Sequence, residues 1–564
     1  MNVAISRRTV PPAVRELLSG GTDPVLARLY AARGVATQRE LECGLASLPP
    51  FASMRNIDAA ASRLARAIER EERIVIVADY DADGATACAV GVRGLRAMGA
   101  TVDYLVPNRF EYGYGLTPEI VELARTKSPH LIVTVDNGIA SYEGVAAAAA
   151  AGIDVLVTDH HLPGDRLPAP AIIVNPNQPA CAFPSKNLAG VGVMFYVLAA
   201  LRAHLREQRM LGDDAPKLAS LLDLVALGTV ADVVRLDHAN RILVEQGLRR
   251  MRARKASPGV LALFEVARRD VREATATDLG FVAGPRLNAA GRLSDMSIGI
   301  RCLLETDGDD ALQLAAELDR LNRERRDVES TMQDEALASL DSLDVDADDA
   351  YTLCLFQPTW HQGVVGIVAS RLKDRFHRAT IVFARGSTGE LKGSGRSING
   401  FHLRDALDLV TKREPGLIRR FGGHAHAAGL SIDETALDRF ARAFEAVARD
   451  MLTAADLARV VESDGALAPG ELCADLAHRL REPVWGQGFP APTFDDVFDV
   501  LSCRLVAEAH TRLVLARGDE RFGAVAFRTT CEFPPRIHAV FRVEIDRYNG
   551  EETLQLVLQH WQPA

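Results

Sequence analysis

The sequence has few of the residues on which structural metal sites and disulfide frameworks depend. Only 8 of its 564 residues are cysteine, these cysteines are scattered along the chain, and no Cys-x-x-Cys pair occurs. Zinc ribbons and iron–sulfur clusters need closely spaced cysteines, so both classes of site are excluded. We expect reduced, mostly buried thiols.

Long apolar runs and an overall excess of positive charge are also missing. No run reaches the roughly 18 apolar residues of a membrane span, and the first residues contain no basic region followed by an apolar core. We therefore expect a cytoplasmic protein with no membrane partner.

The formal net charge of -10 excludes a uniformly basic nucleic-acid binder but not a local basic patch. Residues 351–430 contain such a patch, with twelve Lys and Arg against five Asp and Glu.

The length predicts several domains. A single core seldom exceeds roughly 250 residues, and this chain has 564. Composition and periodicity divide it into five consecutive parts. These are an N-terminal extension at residues 1–55, an α/β core at 56–305, a connecting helix at 306–345, a second α/β domain at 346–455 and a small β-domain at 461–564.

The most informative stretch covers residues 74–84. Its first five residues are apolar and mostly β-branched, which predicts a strand buried on both faces. Asp79, Asp81 and Asp83 follow at alternate positions, where such a strand ends. Carboxylates this close repel one another unless a cation neutralises them. A helix predicted from residue 85 completes the first half of a βαβ unit.

Two later apolar strands end in the same way. One is followed by Asp136 and the other by Asp159, His160 and His161. Ligands bind outside the carboxyl ends of the strands in a doubly wound parallel sheet, so the three strand ends can converge on one metal site. A single Asp-Gly pair is more simply explained as a turn, but three such strand ends in one domain favour a site.

Three further segments contain polar residues whose roles the residues alone leave open. Asp232 lies among apolar residues and is either a helix cap or a fourth metal-ligand segment. The loop at residues 107–115 offers Arg109 to a phosphate and the Tyr114 ring to a base, or is an ordinary surface loop. Residues 284–292 are predicted to form a loop with two arginines.

The second half of the chain predicts a long helix and a second α/β domain. Residues 309–340 have helical periodicity with no glycine or proline, which gives a helix of roughly 48 Å joining two domains. Two glycine-rich segments follow, at residues 391–397 and 421–429. Ser394 and Arg396 in the first are donors suited to a phosphate. The alternative is that these glycines serve tight packing of a strand on a helix.

The last hundred residues predict a small all-β domain. Five strand-like segments occur with little helix among them. Five strands in that length suit an OB-fold barrel, and an SH3-like barrel or a sandwich fits nearly as well.

Five motifs taken together resemble the DHH phosphoesterase superfamily and, within it, the RecJ family, from about residue 50 to the end of the chain. They are Asp-Tyr-Asp-Ala-Asp-Gly at 79–84, Thr-Val-Asp-Asn-Gly at 134–138, Thr-Asp-His-His at 158–161, Gly-Thr-Val-Ala-Asp-Val at 228–233 and Gly-Gly-His-Ala-His-Ala-Ala-Gly at 422–429. The resemblance implies a DHH-type parallel-sheet core, a connecting helix, a DHH-associated domain and an OB-like barrel. It also implies 5′ to 3′ hydrolysis of single-stranded DNA to mononucleotides with two Mn²⁺ or Mg²⁺ ions, in DNA repair and recombination.

The resemblance also assigns roles to individual residues. It implies metal ligands at Asp79, Asp81, Asp83, Asp136, His160 and Asp232. It implies that Asp159 orients His160 and that His161 faces the scissile phosphate as a catalytic residue. It implies DNA and 5′-phosphate binding at Arg109, Tyr114, Arg286, Ser394, Arg396, His424 and His426.

The implied partners are single-stranded DNA, a single-strand-binding protein and a repair helicase, with the enzyme itself monomeric. One alternative is a phosphodiesterase of the same superfamily that acts on short oligoribonucleotides or cyclic dinucleotides. The long helix, the barrel and the Arg109 loop argue against it, since they suit a longer strand. The other alternative is a non-catalytic DNA-binding replication scaffold, but every expected metal ligand is present.

Overall fold

The structure is a computed structural model that describes residues 3–108, 112, 115–342, 350–386, 389–506, 509–530, 532–547 and 551–564. The chain folds into two compact units. The larger unit consists of Arg8–Asn322 and Asp464–Ala564, and the smaller unit consists of Met1–Arg7 and Arg323–Ser463. None of the helices in the described part of the chain is long and apolar enough to cross a membrane.

The strands are given in chain order. They are β1 (Ala4–Arg7), β2 (Arg73–Ala78), β3 (Thr101–Leu105), β4 (Leu131–Val135), β5 (Asp154–Thr158), β6 (Ile172–Val174), β7 (Thr352–Phe356), β8 (Ala379–Arg385), β9 (Glu390–Arg396), β10 (Arg420–Gly423), β11 (Ala427–Asp433), β12 (Val460–Ser463), β13 (Phe494–Val506), β14 (His510–Arg517), β15 (Glu520–Ala526), β16 (Arg536–Asp546) and β17 (Thr553–Pro563).

The α-helices are numbered in the same way. They are α1 (Val14–Ser19), α2 (Pro24–Ala32), α3 (Ile57–Glu69), α4 (Ala82–Ala97), α5 (Pro118–Arg125), α6 (Tyr142–Ala150), α7 (Gly190–Glu207), α8 (Leu222–Ala231), α9 (His238–Arg252), α10 (Pro258–Val266), α11 (Ala276–Asp278), α12 (Gly284–Leu293), α13 (Ser297–Leu304), α14 (Gly308–Ser342), α15 (Val365–Phe376), α16 (Leu403–Arg413), α17 (Leu437–Met451) and α18 (Ala474–Arg481).

A five-stranded parallel sheet in the order β3-β2-β4-β5-β6 forms the centre of the larger unit. Side chains alternate between the two faces of a strand, and both faces of β2 are covered. Ile74 and Ile76 pack into one core and Val75 and Val77 into another. The predicted doubly wound parallel sheet is therefore confirmed.

Residues 284–292, predicted as a loop, are helical. A π-helical turn at Leu279–Ala283 leads directly into α12. Pro285 lies in the first turn of α12, where proline is common because its fixed φ suits a helix. A Cβ at Gly291 would collide with the carbonyl oxygen of Tyr80. The proline and the glycine thus serve helix initiation and close packing rather than a loop.

The predicted five-stranded barrel is confirmed. The strands close in the order β13-β14-β15-β17-β16, and the β15–β17 pair is parallel whereas the other neighbours are antiparallel. Large aromatic side chains fill its interior, including Phe494, Phe498 and Phe541.

The N-terminal segment packs within the larger unit through a buried ion pair. The Arg33 guanidinium lies 2.8 Å from the Asp464 carboxylate, and each side chain is only 1% exposed. Arg33 Nε also donates to the carbonyl oxygen of Pro490, at 2.6 Å. These contacts tie residues near the start of the chain to the segment that leads into the barrel.

The smaller unit contains a mixed sheet in the order β10-β11-β9-β8-β7. β7 and β8 are parallel, and the other neighbours are antiparallel. Gly393 and Gly395, expected in a phosphate-binding segment, lie within β9. A Cβ on Gly393 would press on the Phe383 ring, and one on Gly395 would press on Leu403. Close packing is therefore one reason for these glycines.

The predicted long helix is confirmed as α14, which has 35 residues. At 1.5 Å per residue it is roughly 52 Å long. The chain passes from the larger unit to the smaller unit within this helix.

Candidate metal centre

Three neighbouring strands of the parallel sheet end at the same level. Ala78, the last residue of β2, lies opposite Val135 of β4, which lies opposite Thr158 of β5. Each strand is followed directly by an aspartate, so the residues after the three strands start from one edge of the sheet. The expected convergence of the three strand ends is present.

The side chains that follow these strands meet at the imidazole of His160. Its Nε2 atom lies 3.1 Å from Oδ1 of Asp136 and 3.4 Å from Oδ2 of Asp232. The same nitrogen lies 4.0 Å from Oδ2 of Asp83. One imidazole nitrogen thus lies close to three carboxylates from three different parts of the chain.

Three overlapping groups of side chains have the composition of a metal site. Within each group the potential ligand atoms all lie within 4.8 Å of one another. The groups are Asp79, Asp81 and Asp136; Asp83, His160 and Asp232; and Asp136, His160 and His161. Because Asp136 and His160 each belong to two groups, the arrangement has room for more than one ion.

The N-termini of two helices face this cluster. Asp81 is the N-cap of α4, and its carboxylate accepts a hydrogen bond from the Gly84 N–H at 3.0 Å. The Asp83 carboxylate accepts from the backbone N–H groups of Gly190 and Val191, at 2.6 and 2.9 Å, where α7 begins. N–H groups at helix N-termini stabilise negative charge, so both helices favour ionised carboxylates.

Close packing fixes the position of the buried carboxylates. A Cβ on Gly190 would lie 2.6 Å from the Cβ of Asp136. A Cβ on Gly228 would collide with Thr86 and lie 3.0 Å from Oδ1 of Asp83. Only glycine at these positions lets α7 approach Asp136, and α8 approach Asp83, this closely. Asp136 itself has a φ of 62°, a conformation that Asp and Asn adopt more readily than most residues.

Burial and mutual repulsion make these carboxylates hard to ionise without a cation. Burial, together with the charge of Asp81, raises the pKa of Asp83 to about 7. Burial and the neighbouring carboxylates raise the pKa values of Asp136 and Asp232 well above their usual range. A divalent cation among these carboxylates would remove the repulsion, and oxygen ligands with one imidazole nitrogen suit Mn²⁺ or Mg²⁺. The donor set therefore fits a metal centre.

Asp232 stands at the C-cap of α8. A carboxylate is unfavourable at that end of a helix, because the unpaired carbonyl groups there carry partial negative charge. Helix capping therefore does not explain Asp232. Its position beside His160 favours the alternative, a metal-ligand segment.

Asp159 orients a histidine, but not the one expected. Its Oδ1 atom lies 2.8 Å from Nδ1 of His161 and accepts the backbone N–H of His160. The expectation that Asp159 orients the ring of His160 is corrected to the ring of His161. Burial lowers the pKa of His161, but Asp159, together with Asp79 and Asp81, outweighs burial and raises the pKa to about 9.

Several asparagines that the sequence analysis did not select hold this centre in place. Asn288 Oδ1 accepts the Ala82 N–H at 2.8 Å, at the start of α4. Asn177 and Asn175 donate to the carbonyl oxygens of His160 and His161, at 2.6 and 2.9 Å. Asn137 donates to the carbonyl oxygens of β2 and β4. Their positions were the signal that could have identified them. Asn137, Asn175 and Asn177 lie within three residues after a strand, and Asn288 lies inside a glycine-rich motif.

Arg286, one of the larger unit's residues expected to bind DNA, is buried and already has protein partners. Its Nη2 atom lies 2.8 Å from Asp319, and Nη1 donates to the Val282 carbonyl oxygen at 2.6 Å. A phosphate would have to share the guanidinium with Asp319. Arg109 and Tyr114 lie outside the described residues.

The remaining candidates gather in the smaller unit. Arg396 Nη1 donates to Oγ of Ser394 at 3.1 Å and to the Gly395 carbonyl oxygen at 2.8 Å, both of which are uncharged acceptors. His424 and His426 are exposed on the hairpin between β10 and β11. The Ser397 N–H donates to the carbonyl oxygen of His426, which places the hairpin beside Arg396. Ser394 and Arg396 thus lie in a strand rather than in the expected glycine-rich turn.

Family comparisons agree with this geometry. Residues 73–229 match the DHH family N-terminal domain, residues 349–450 match the DHHA1 domain and residues 463–560 match the RecJ OB domain. The match to the DHH family N-terminal domain contains strands β2 to β6 and all the carboxylates of the metal centre except Asp232.

Full-length relatives extend the match. The single-stranded-DNA-specific exonuclease RecJ of Dickeya dadantii (strain 3937) is 50% identical over 578 residues, which cover 100% of both chains. A solved structure of RecJ from Thermus thermophilus in complex with Mn²⁺ has a TM-score of 0.85 at 30% identity and covers 100% of this chain and 80% of that chain. A second, in complex with Mg²⁺, has a TM-score of 0.78 at 28% identity, with coverage of 100% and 79%. The chain belongs to the RecJ family of single-stranded-DNA-specific exonucleases.

Proposed function

We propose that this chain is a metal-dependent exonuclease that degrades single-stranded DNA in the 5′ to 3′ direction to 5′-mononucleotides. The observation that carries the proposal is the cluster of buried carboxylates around His160 at the ends of β2, β4 and β5. Membership of the RecJ family gives this cluster a substrate class, since the relatives are named as exonucleases specific for single-stranded DNA.

The ions would be Mn²⁺ or Mg²⁺, the ions with which the two Thermus structures are in complex. The residues that would hold two of them are Asp79, Asp81, Asp83, Asp136, His160 and Asp232. Asp136 and His160 each belong to two of the ligand groups and would be central to holding the ions. When bound, such ions lower the pKa of water and offset the negative charge of a scissile phosphate.

The protein's own groups position the substrate. His161, held through Nδ1 by Asp159, presents its other ring nitrogen to the scissile phosphate as a hydrogen-bond donor. Backbone N–H groups at the N-termini of α4 and α7 hold the Asp81 and Asp83 carboxylates in place. No side-chain nucleophile is needed, so Cys88, buried within α4 with a raised pKa, has a packing role.

Recognition of the 5′ end is assigned to Ser394 and Arg396. The Arg396 guanidinium is largely buried, and burial lowers its pKa. Its hydrogen-bond acceptors are the uncharged Ser394 hydroxyl and the Gly395 carbonyl oxygen. A Cβ on Gly366, in the first turn of α15, would lie 3.0 Å from Nη2 of Arg396, so the start of a helix faces the same place. A buried cation with neutral partners at a helix N-terminus suits a terminal phosphate.

The rest of the strand would bind to the other candidates and to the barrel. We assign this role to residues 461–564 together with Arg109, Tyr114, Arg286, His424 and His426. Within the predicted domain division, residues 56–305 hold the metal centre and residues 346–455 hold the 5′-phosphate. A single-strand-binding protein and a repair helicase are the proposed partners of a monomeric enzyme.

The test uses full-length protein and oligonucleotides labelled at one end. Metal-stripped protein is incubated with single-stranded DNA, duplex DNA, single-stranded RNA, short oligoribonucleotides and an unlabelled cyclic dinucleotide, with and without Mn²⁺. We expect mononucleotides from single-stranded DNA only when Mn²⁺ is present, with digestion starting at the 5′ end. Preference for two- to four-nucleotide RNA or for a cyclic dinucleotide would support the alternative phosphodiesterase. Tight binding without hydrolysis under every condition would support a scaffold.

A further inference from the structure

The most exposed large apolar side chains lie on segments that adjoin the metal centre. Among the large hydrophobic side chains of the described residues, Phe281, Val233 and Leu162 have the highest exposed fractions, at 75%, 63% and 61%. Scattered surface hydrophobics are ordinary in soluble proteins, but here the three most exposed ones belong to segments next to one site. We call these three residues the apolar rim.

Two members of the apolar rim are next to metal-centre residues in the sequence, and the third lies on a turn that packs against α8. Leu162 directly follows His161, and Val233 directly follows Asp232. Phe281 lies on the π-helical turn Leu279–Ala283, which packs on the last turn of α8. In that contact a Cβ on Gly280 would lie 3.4 Å from Val230, and one on Gly284 would lie 3.0 Å from Ala231.

Folding stability does not account for the apolar rim. Val233 has a φ of 61°, a left-handed conformation that is costly for a β-branched residue and favours Gly or Asn. Its side chain also gains little from burial. Phe281 stands on a π-helical turn, a rare element that is frequent at functional sites. Strained or apolar groups kept at a site in this way point to a binding role.

We propose that the apolar rim contacts the faces of nucleobases next to the scissile phosphate, with Phe281 as the main stacking surface. The inference rests on the proposed function, because a phosphodiester on the metal centre brings its own sugar and base to this place. Base faces are apolar and alike in all four nucleotides, so stacking is independent of sequence. In a duplex those faces are stacked on their neighbours. The apolar rim therefore contributes to the preference for single strands.

The test compares base-bearing and abasic substrates. One oligonucleotide carries bases throughout, and its partner has abasic nucleotides at the first two positions of both ends, so the comparison does not depend on polarity. For Phe281→Ala we expect kcat/KM on the base-bearing strand to fall roughly 10-fold, as for the loss of a stacking ring. On the abasic strand the variant and the wild type should be equal. Phe281→Trp should restore stacking.

Two controls separate binding from folding. Val233→Asn should lower kcat/KM on the base-bearing strand while leaving the thermal midpoint unchanged or higher, because Asn tolerates the left-handed conformation. Met210→Ala removes another exposed apolar side chain, in the loop beyond the far end of α7, and should leave both substrates unaffected.

Different failures are distinguishable. If wild-type protein with Mn²⁺ does not hydrolyse either strand, the proposed function is wrong. If wild-type protein is active but Phe281→Ala lowers kcat/KM equally on base-bearing and abasic strands, the apolar rim does not contact bases. If the variant matches wild type on both strands but changes the sedimentation of the protein, the apolar rim is instead a contact between copies of the chain.

Discussion

Replacing Arg396 with alanine should impair hydrolysis of strands that carry a 5′-phosphate and spare strands that end in a 5′-hydroxyl. A terminal phosphate has one more anionic oxygen than an internal phosphodiester. Arg396 and Ser394 together offer a guanidinium and a hydroxyl to that oxygen. Because the hydrogen-bond acceptors of Arg396 are the uncharged Ser394 hydroxyl and the Gly395 carbonyl oxygen, its charge is available to a substrate anion.

The expected size follows from the type of contact. A hydrogen bond between charged groups contributes about 1.5 to 3 kcal/mol, which corresponds to a loss of roughly 10- to 100-fold in kcat/KM on the 5′-phosphorylated strand. Arg396→Lys should recover only part of this loss, because an ammonium group lacks the planar pair of donors. Ser394→Ala should give a smaller loss with the same dependence on the 5′-phosphate.

The matched control is Arg385→Ala in the same unit. Arg385 ends the neighbouring strand β8 and pairs with Glu434 on the surface, 2.6 Å away, so its removal also deletes one positive charge. The assay measures initial rates on 5′-phosphate and 5′-hydroxyl strands of one sequence. Equal losses for Arg396→Ala on both strands, or a similar phosphate-dependent loss for Arg385→Ala, would refute this account of the 5′ end.

Three further predictions concern the metal centre, the fold and the thiols. Asp136→Asn removes a metal ligand but keeps the φ of 62° accessible. Loss of a group that only orients a ligand costs roughly 10- to 100-fold in activity, and we expect this variant to lose more than that. Its circular dichroism spectrum should be unchanged. Arg33→Ala removes the nearer of two guanidinium groups from the buried Asp464 carboxylate and leaves Arg8, 3.3 Å away. Urea unfolding should therefore report a loss of about 1 to 3 kcal/mol, and recovery of most of it by the double variant with Asp464→Asn would identify the poorly paired charge as the cause. Cys503 is exposed whereas Cys88 is buried with a raised pKa, so peptide mapping after brief alkylation of native protein should find Cys503 labelled and Cys88 protected.

The parallel sheet could be predicted because its strands are continuous aliphatic runs. Ile74, Val75, Ile76 and Val77 are all buried, and a run of that kind fits few structures other than a central strand. The aspartates after the strands could be placed at one site because parallel strands end at the same edge. The long helix was predictable from periodicity and from the absence of glycine and proline over about thirty residues.

Other features depend on contacts that local sequence does not encode. Residues 284–292 resemble a loop in composition, but they form α12, and Gly291 is there because the helix packs closely against the Tyr80 carbonyl oxygen. Ser394 lies in a strand because the flanking glycines accommodate Phe383 and Leu403. The partner of Asp159 was misassigned because only the fold decides which of two adjacent imidazoles turns back towards it.

The most direct test of the central claim is the number of Mn²⁺ ions that the full-length protein binds. Calorimetric titration of metal-stripped wild-type protein should find two sites. Asp136→Asn should weaken both sites, because Asp136 belongs to two of the three ligand groups. The same variant replaces a buried carboxyl group that is costly to ionise with a neutral amide, so its metal-free form should melt at a temperature at least as high as that of metal-free wild type. Full hydrolytic activity of a wild-type protein that binds fewer than two ions, or of Asp136→Asn with both sites intact, would contradict the account.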